Sequence, residues 1–495
     1  MAPSWSGAGA DARRGRMGVM LVMLCPAALP VKATGPPPAG GLAARGLYVA
    51  EHDRPVVRTY DLLASSAMDV TVIGAGYVGL VTGVSLALLG DHSVTFVEQS
   101  EPRRQALNAG EMPIWEPGLS DAFARVRDRV SVVESAGKLG DPDLVFICVG
   151  TPTTDQGEPD LAQLYVTTRE LRDRSDLHIS IRSTLPPGTS SRLPDLLGRR
   201  DGERLSTNPE FLRQGTAMDD FANPSRIVVG LFPETSTDHG ARIDDALTGI
   251  PGTRLHVSVA AAELMKNVAN GFLALKLSFV NEVAGLAEEY GVQVDEILEG
   301  IALDPRIGSA YMRPGLGFGG SCLPKELQVL AAAGRRQGLP MHVARAAAQV
   351  NGEQQDRFVR RVLKELPTAE GQVGLLGLSF KAGTDDLRGS PAIYVARRLV
   401  EAGHRVVAFD PAVGATQAKA AVPEIEIRES SLEIFRGSDA VVIATDWPEF
   451  REVDLASARL LANGPLLFDG RNLLVPQSAV DSGFHYRGIG RLSME

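Results

Sequence analysis

The 495-residue chain carries 50 basic and 60 acidic side chains, a formal charge of -10, and 44% hydrophobic residues. That length suggests two to four domains with full cores, and the absence of a basic stripe speaks against a nucleic-acid partner. No internal apolar run reaches the roughly 20 residues of a membrane span. The three cysteines, Cys25, Cys148 and Cys322, are far apart and lack metal-ligand spacing, so no metal is expected; the pattern suits reduced thiols in a cytoplasmic protein.

Residues 1–67 are rich in Gly, Ala, Pro and Arg and show no sustained helix or strand period. Arg13-Arg14-Gly15-Arg16 before Met17 to Leu24 has the outline of a signal peptide, but Pro26 and Pro30 break the apolar stretch. The expectation is a poorly ordered N-terminal extension, with Met68 as the functional start of the folded part.

From Asp69 the pattern becomes regular. Val70-Thr71-Val72-Ile73 reads as a buried parallel strand, Gly74-Ala75-Gly76-Tyr77-Val78-Gly79 as a tight turn, and 80–89 as an apolar helix. A second strand, 93–97, ends at Glu98. Glycines in this context let a pyrophosphate approach a helix N-terminus, and an acid about twenty residues later can accept from ribose hydroxyls. Glu98 therefore favours NAD over NADP, while Arg103 and Arg104 could instead hold a 2′-phosphate or simply form a solvated helix face. Further strands, 144–149 and 178–182, run into loops carrying Thr151 and Thr184, which can touch cofactor or substrate or merely cap loops. Cys148 reads as core. Glu210, in Asn208-Pro209-Glu210-Phe211-Leu212-Arg213, reads as a general base or a capping carboxylate.

The longest helical pattern, 257–290, ends at Gly291 and can serve two domains as a shared spine. Lys266 and Asn270 are four apart and share a face; apolar neighbours suggest burial, and a buried lysine needs a partner or a task. The stretch from Tyr311 to Glu326 holds Cys322 behind a run of glycines, with Lys325 three residues away to help lower the thiol pKa. A second α/β unit begins with strand 373–378 and continues through 405–410, 440–444 and 465–469. Its glycine pattern is incomplete, so it can take a nucleotide-like group without being a second NAD site. The expected fold is α/β: two Rossmann-like doubly wound domains joined by a long central helix, with boundaries at 68–256, 257–360 and 361–495.

Six stretches occur in the order found in one family: 72–79, Pro113-Ile114-Trp115-Glu116-Pro117-Gly118-Leu119, Val149-Gly150-Thr151-Pro152, 208–212, Gly317-Phe318-Gly319-Gly320-Ser321-Cys322-Leu323-Pro324-Lys325, and Leu378 to Arg388. From Met68 to about residue 480 the chain resembles the UDP-glucose/GDP-mannose dehydrogenase family. The resemblance implies a four-electron oxidation of a sugar C6 alcohol to a carboxylate with two NAD+ in succession, through a Cys322 thiohemiacetal and thioester. It implies that Lys266 and Asn270 stabilise oxyanions, that Glu210 activates water, and that Thr184 holds water beside the nicotinamide. Glu98, Arg103, Lys325 and Arg388 match cofactor contacts, beside Gly74, Gly76, Tyr77, Val78, Gly79 and Thr151 of the dinucleotide loops. Glu210, Phe211, Leu212, Arg213, Lys266, Asn270, Tyr311, Arg313, Gly315, Gly319, Lys381 and Arg471 match the substrate side. Arg306 matches a residue near a subunit boundary, so a homodimer or higher oligomer is implied.

Three positions depart from the family pattern: Glu326 stands for a usual Asp, Gln214 for a usual Glu, and Gly389 for a usual Glu. The first puts the geometry of that catalytic carboxylate in doubt. Within the family the chain looks more like the UDP-glucose enzymes, although 311–315 and 378–383 also look like the GDP-mannose enzymes. A two-electron dehydrogenase would leave Cys322 and the C-terminal domain unexplained; a non-catalytic NAD-binding sensor is the binding-protein alternative.

Overall fold

The computed structural model describes residues 45–51, 54–60, 67–152, 154, 159–367 and 370–495. Most of the expected extension, 1–44 with 52–53 and 61–66, lies outside the described residues. Within the extension, however, Arg45–Glu51 and Arg54–Tyr60 are strands, which the absence of a sustained period did not lead one to expect. Their short runs of Leu, Tyr and Val suit a pleated pair.

Two parallel sheets form the body. Eight strands of the first run in the order Thr253–Ser258, Arg226–Leu231, Leu205–Thr207, Ile179–Ile181, Leu144–Ile147, Asp69–Ile73, Ser93–Val97 and Val130–Val133; the antiparallel pair 45–51 and 54–60 extends it beyond Thr253–Ser258. Only Leu205–Thr207 and Arg226–Leu231 pair antiparallel among the eight. The second sheet has six parallel strands, ordered Glu426–Ile427, Arg405–Phe409, Gln372–Leu376, Ala440–Ile443, Leu466–Asp469 and His485–Gly488. Sheets buried on both faces need continuous apolar strands, and 144–147 and 440–443 are buried at every position.

A 32-residue helix, Val259–Tyr290, joins them and spans ~48 Å. Ser258 caps it by accepting from the Ala261 amide, and Gly291 ends it at φ 65°. Its first half is fixed to the first domain. The Glu263 carboxylate accepts from the amides of Gly188, Thr189 and Ser190 and from the Ser190 hydroxyl, and Asn267 donates to the Leu185 carbonyl. Its second half is built into the second domain, where Val280, Ala284 and Ala287 share one apolar core with Val373, Leu375 and Phe468.

Under the first sheet lies a neutral histidine pair. His178 and His239 stack with ring centroids 5.3 Å apart and Nδ1 atoms 3.1 Å apart, and His239 Nε2 lies 3.0 Å from Ser206 Oγ. Burial pushes them down to about 4 and about 3, respectively. The unfolded chain takes up these protons near pH 6.5, so it binds more protons than the folded one below that pH, and stability falls with pH until the folded values are passed. Urea unfolding should show a loss of about 4 kcal/mol between pH 7 and pH 5, with His239→Gln losing roughly half as much.

Candidate active site

At the first glycine turn, each glycine has a different physical task. Gly74 sits at φ +96°, and a Cβ there would meet the Cys148 carbonyl oxygen at 2.9 Å. Gly79 lets the helix Tyr77–Leu89 close onto the turn, because its Cβ would stand 1.9 Å from the Gly74 oxygen. Gly76 is the opposite case: apart from its immediate chain neighbours, no atom of the described residues lies within 4 Å of its Cβ position. That leaves bare backbone at a helix N-terminus, facing a cleft, with room for a pyrophosphate. The Glu98 carboxylate is fixed beside it by the amides of Ala75 (3.2 Å) and Ser100 (2.8 Å). Arg103 approaches that carboxylate at 3.8 Å from the half-exposed surface. Arg104 instead donates to the carbonyls of Glu98 and Gln99, a backbone-capping task that settles its ambiguity.

The second domain repeats this turn in closed form. Gly377 stands where Gly74 does, with its Cβ position blocked in the same way, by Thr445 at 2.3 Å, but Ser379 takes the place of the open Gly76. Asp410, placed as Glu98 is, accepts from the amides of Leu378, Ser379, Ala412 and Val413, the Ser379 hydroxyl and Trp447 Nε1. Six donors fill a carboxylate that offers about four lone-pair sites, so none is left for a ribose.

Between the sheets and the central helix lies a cleft of ≈ 2060 Å³. The catalytic, cofactor and substrate candidates named from the sequence line it except Gly79, which packs beneath the turn, Arg104 and Arg306. Arg306 is 87% exposed and paired with Asp304 at 2.5 Å.

Cys322 is the N-cap of the helix Leu323–Arg336, and its thiol opens into the cleft although protein surrounds it on its other sides. Burial pushes the thiol up; Lys266 pulls it down, whereas Glu210 and Glu326 add to the rise. The cation that pulls hardest on the sulfur is Lys266, while Lys325 also feels the charge of the thiol. Lys325 turns away, donating to the Thr151 carbonyl and hydroxyl, and Thr151 in turn donates to the Thr184 carbonyl. Such a thiol rests protonated and becomes a nucleophile once the ammonium nearby or a base takes up the balance.

Lys266 is buried, with its ammonium 3.2 Å from Glu210 Oε1. Burial alone would push its pKa down, but Glu210, Cys322 and Glu326 outweigh that and hold it above the usual lysine range. Glu210 also accepts from the Leu212 amide at 2.6 Å, so it is both a turn cap and an ion-pair partner. Asn270, one turn along, lines the same wall half-buried. Glu326 is buried with its Oε2 unpartnered, and burial pushes its carboxyl up. The group of one ammonium, one thiol and two carboxylates can move protons and stabilise an oxyanion.

On the far side of the thiol, Tyr311 adopts φ 61° and Lys381, Arg313 and Arg213 line the wall, the last paired with Asp220 at 2.6 Å. The Phe211 ring lies between Arg226 at 3.8 Å and Lys266 at 5.3 Å. Arg471 was expected to meet the substrate, yet its N–H groups already donate to the carbonyls of Ala444, Gly317 and Phe380 and tie the cysteine loop to the second domain. Arg388 pairs with Asp386, which also accepts from Gln214 across the domains. A Cβ on Gly319 would meet the Gly389 carbonyl at 2.2 Å, so the cysteine loop packs directly on backbone there.

Sequence reasoning did not single out a role for Glu116. Its oxygens accept from the Tyr77 hydroxyl (2.5 Å) and the amides of Gly215 and Ala217 (both 2.7 Å), joining turn to cleft wall. Position in the stretch 113–119 was its one visible signal.

The two turn glycines should separate binding from folding. Gly76→Val, whose side chain would enter open space, should leave the thermal midpoint nearly unchanged and weaken dinucleotide binding about tenfold or more. Gly79→Ala should lower stability by about 2 kcal/mol or more, since backbone must move. Thermal melts and fluorescence titration check both.

Sequence models of the UDP-glucose/GDP-mannose dehydrogenase family match in three parts: the NAD binding domain at residues 68–246, the central domain at 260–353 and the UDP binding domain at 374–476. A UDP-glucose 6-dehydrogenase of Pseudomonas aeruginosa is 37% identical over 453 residues, covering 86% of this chain and 98% of that one. One from Bacillus subtilis is 35% identical over 435 residues, with the same coverage. Among solved structures, a UDP-glucose dehydrogenase from Pyrobaculum islandicum superposes with TM-score 0.77 at 34% identity, covering 86% of this chain and 99% of its own. With the open glycine turn and fixed Glu98 suited to NAD, these matches place the chain in the UDP-glucose/GDP-mannose dehydrogenase family of NAD-dependent nucleotide-sugar dehydrogenases.

Proposed function

We propose that this enzyme oxidises the C6 alcohol of UDP-glucose to the carboxylate of UDP-glucuronate, in two oxidations linked by a covalent bond to Cys322. The observation that carries the reading is the meeting of the Cys322 thiol, the Lys266 ammonium and Glu210 in the same cleft as the open turn at Gly76. Bound NAD+ supplies the hydride acceptor for each oxidation. Gly74, Gly76, Tyr77, Val78 and Glu98 would hold it, with Arg103, Thr151, Lys325 and Arg388 on its flanks.

The alcohol loses its proton and a hydride to become an aldehyde, with Lys266 and Asn270 holding the oxygen. The Cys322 sulfur then adds to the aldehyde carbon as its proton passes to the carbonyl oxygen, and the resulting thiohemiacetal loses its hydroxyl proton and a second hydride to become a thioester. Water, positioned beside Thr184 and deprotonated by Glu210, attacks the thioester carbon; the C–S bond breaks and the thiol is restored. Glu326, buried and short of a partner, is suited to pass a proton at this stage. Phe211, Leu212 and Arg213, with Tyr311, Arg313, Gly315, Gly319, Lys381 and Arg471, would enclose the sugar and its diphosphate. UDP-glucose is favoured by the names of the relatives at 35% and 37% identity. The first part of the catalytic body is taken as residues 68–256, the central part as 257–360 and the nucleotide-sugar part as 361–495.

A second copy of the chain completes the proposal. Leu264, Val268, Phe272, Phe279, Leu286 and Tyr290 recur along one side of the central helix and are 43–76% exposed. Apolar side chains so aligned mark an interface, and Arg306, outside its own cleft, would reach across it. The free thiol suits the reducing cytoplasm, and among the described residues no helix is long and apolar enough to cross a membrane.

Incubation with NAD+ and UDP-glucose or GDP-mannose should yield two NADH per sugar with the former. One per sugar would indicate a two-electron dehydrogenase, and none with any nucleotide sugar a sensor. Cys322→Ser should abolish acid formation while NAD binding persists. Phe272→Asp combined with Phe279→Asp should convert a dimer to a monomer in sedimentation.

A further inference from the structure

Arg182 is a buried cation with only neutral hydrogen-bond partners. It follows the strand Ile179–Ile181, is 7% exposed and lines the cleft. Its Nε donates to Thr82 Oγ1 at 2.9 Å, its Nη1 donates to Asn208 Oδ1, and its guanidinium lies 5.3 Å from the centre of the Phe221 ring. Among the described residues no carboxylate pairs with it. Burial pushes its pKa down, yet a guanidinium remains charged at any working pH. Removing such a charge from water costs several kcal/mol unless an anion answers it.

The hydrogen bonds lead towards that anion. Asn208, which holds the Val228 carbonyl through Nδ2 at 2.7 Å, stands two residues before Glu210 in the same wall. Glu210 in turn is bound to Lys266 at 3.2 Å and to the Leu212 amide at 2.6 Å. Arg182 thus joins the helix of the glycine turn, through Thr82, to the segment that carries the carboxylate.

We propose that Arg182 is a positioning residue for Glu210: through Asn208 it fixes the segment bearing the carboxylate, and its charge shares with Lys266 the neutralisation of that group. The proposal rests on the reaction assigned above. With two cations answering Glu210, the Lys266 ammonium can turn part of its charge to the oxygen at C6, and the carboxylate stays ionised to take a proton from water. The other titratable groups that act on or with Glu210 are Cys322, Lys325 and Glu326 of the cysteine loop and its helix, Tyr77 of the glycine turn, and Cys148. Arg182 and the two lysines are the cations of that set.

The test is a double-mutant cycle on NADH formation with UDP-glucose, using Arg182→Gln, Glu210→Gln and the pair. Arg182→Gln should reduce kcat about tenfold. The KM for NAD should stay within about twofold, because Thr82, the hydrogen-bond partner of Arg182 on that helix, lies beyond the glycine turn itself. Arg182→Lys should recover most of the rate. In the Glu210→Gln background, Arg182→Gln should cost nothing more, because the two residues act as one unit. Independent, multiplying losses, or a KM for NAD that rises in step with the loss of kcat, would overturn the proposal. If Arg182→Gln does not fold, Arg182→Lys takes its place in the cycle: a loss of about threefold that vanishes with Glu210→Gln supports the role, and one that persists overturns it. A wild-type protein that forms no NADH with any nucleotide sugar overturns the reaction and this role together, whereas an active wild type with an indifferent Arg182 overturns this role alone.

Discussion

The buried ion pair between Lys266 and Glu210 is the constraint on which the site depends. Both groups are buried, and removing one partner of such a pair typically costs about 3–5 kcal/mol. Together they place a fixed positive charge beside the Cys322 sulfur and a proton acceptor in the same wall. The pair also decides which parts of the chain must be held still. Lys266 belongs to the central helix and Glu210 to a loop after the strand Leu205–Thr207, so helix and sheet have to keep register to within the length of a hydrogen bond. Glu263 secures this from the helix side, with a carboxylate wrapped by three amides and a hydroxyl.

The two α/β domains use the same turn for opposite ends. In the first, Gly76 leaves backbone exposed to the cleft and Glu98 keeps its carboxylate directed at the turn. In the second, Ser379 stands at the position of Gly76 with its hydroxyl on Asp410, and that carboxylate is consumed by its own loop. Local chemistry, and not the shared architecture, separates a dinucleotide site from a scaffold that presents other loops.

Much of this was legible in the sequence, and the reasons for success and failure differ by residue. The glycine turn, the four central strands of each α/β unit and the central helix follow from local periodicity, with helix Val259–Tyr290 against an expected 257–290, whereas outer strands such as Val130–Val133, Arg226–Leu231 and His485–Gly488 were not read from it. Lys266 and Asn270 could be placed on one face because helix geometry fixes it. Lys325 could not be read in the same way. Nearness to Cys322 along the chain suggested that it acts on the sulfur, but could not show that its ammonium also reaches Thr151, far away in sequence. The contacts of Arg471 and Glu116 were hidden for the same reason: their partners include carbonyls and amides of distant loops, and backbone groups leave no signature in composition. The strands at 45–51 and 54–60 gain their edge position from pairing with Thr253–Ser258, a contact about two hundred residues away.

The central helix has a mechanical consequence. Sharp kinks in helices arise at proline, at inserted groups or at π-bulges, and Val259–Tyr290 is one unbroken α-helix without proline. Anchored in one domain at its start and in the other at its end, it acts as a rigid strut and fixes the spacing of the two sheets. Adjustment of the cleft therefore falls to the loops around the strut. Among these contacts, the bridge from Lys325 to Thr151 joins the cysteine helix to a loop of the first domain without involving Lys266 or Glu210.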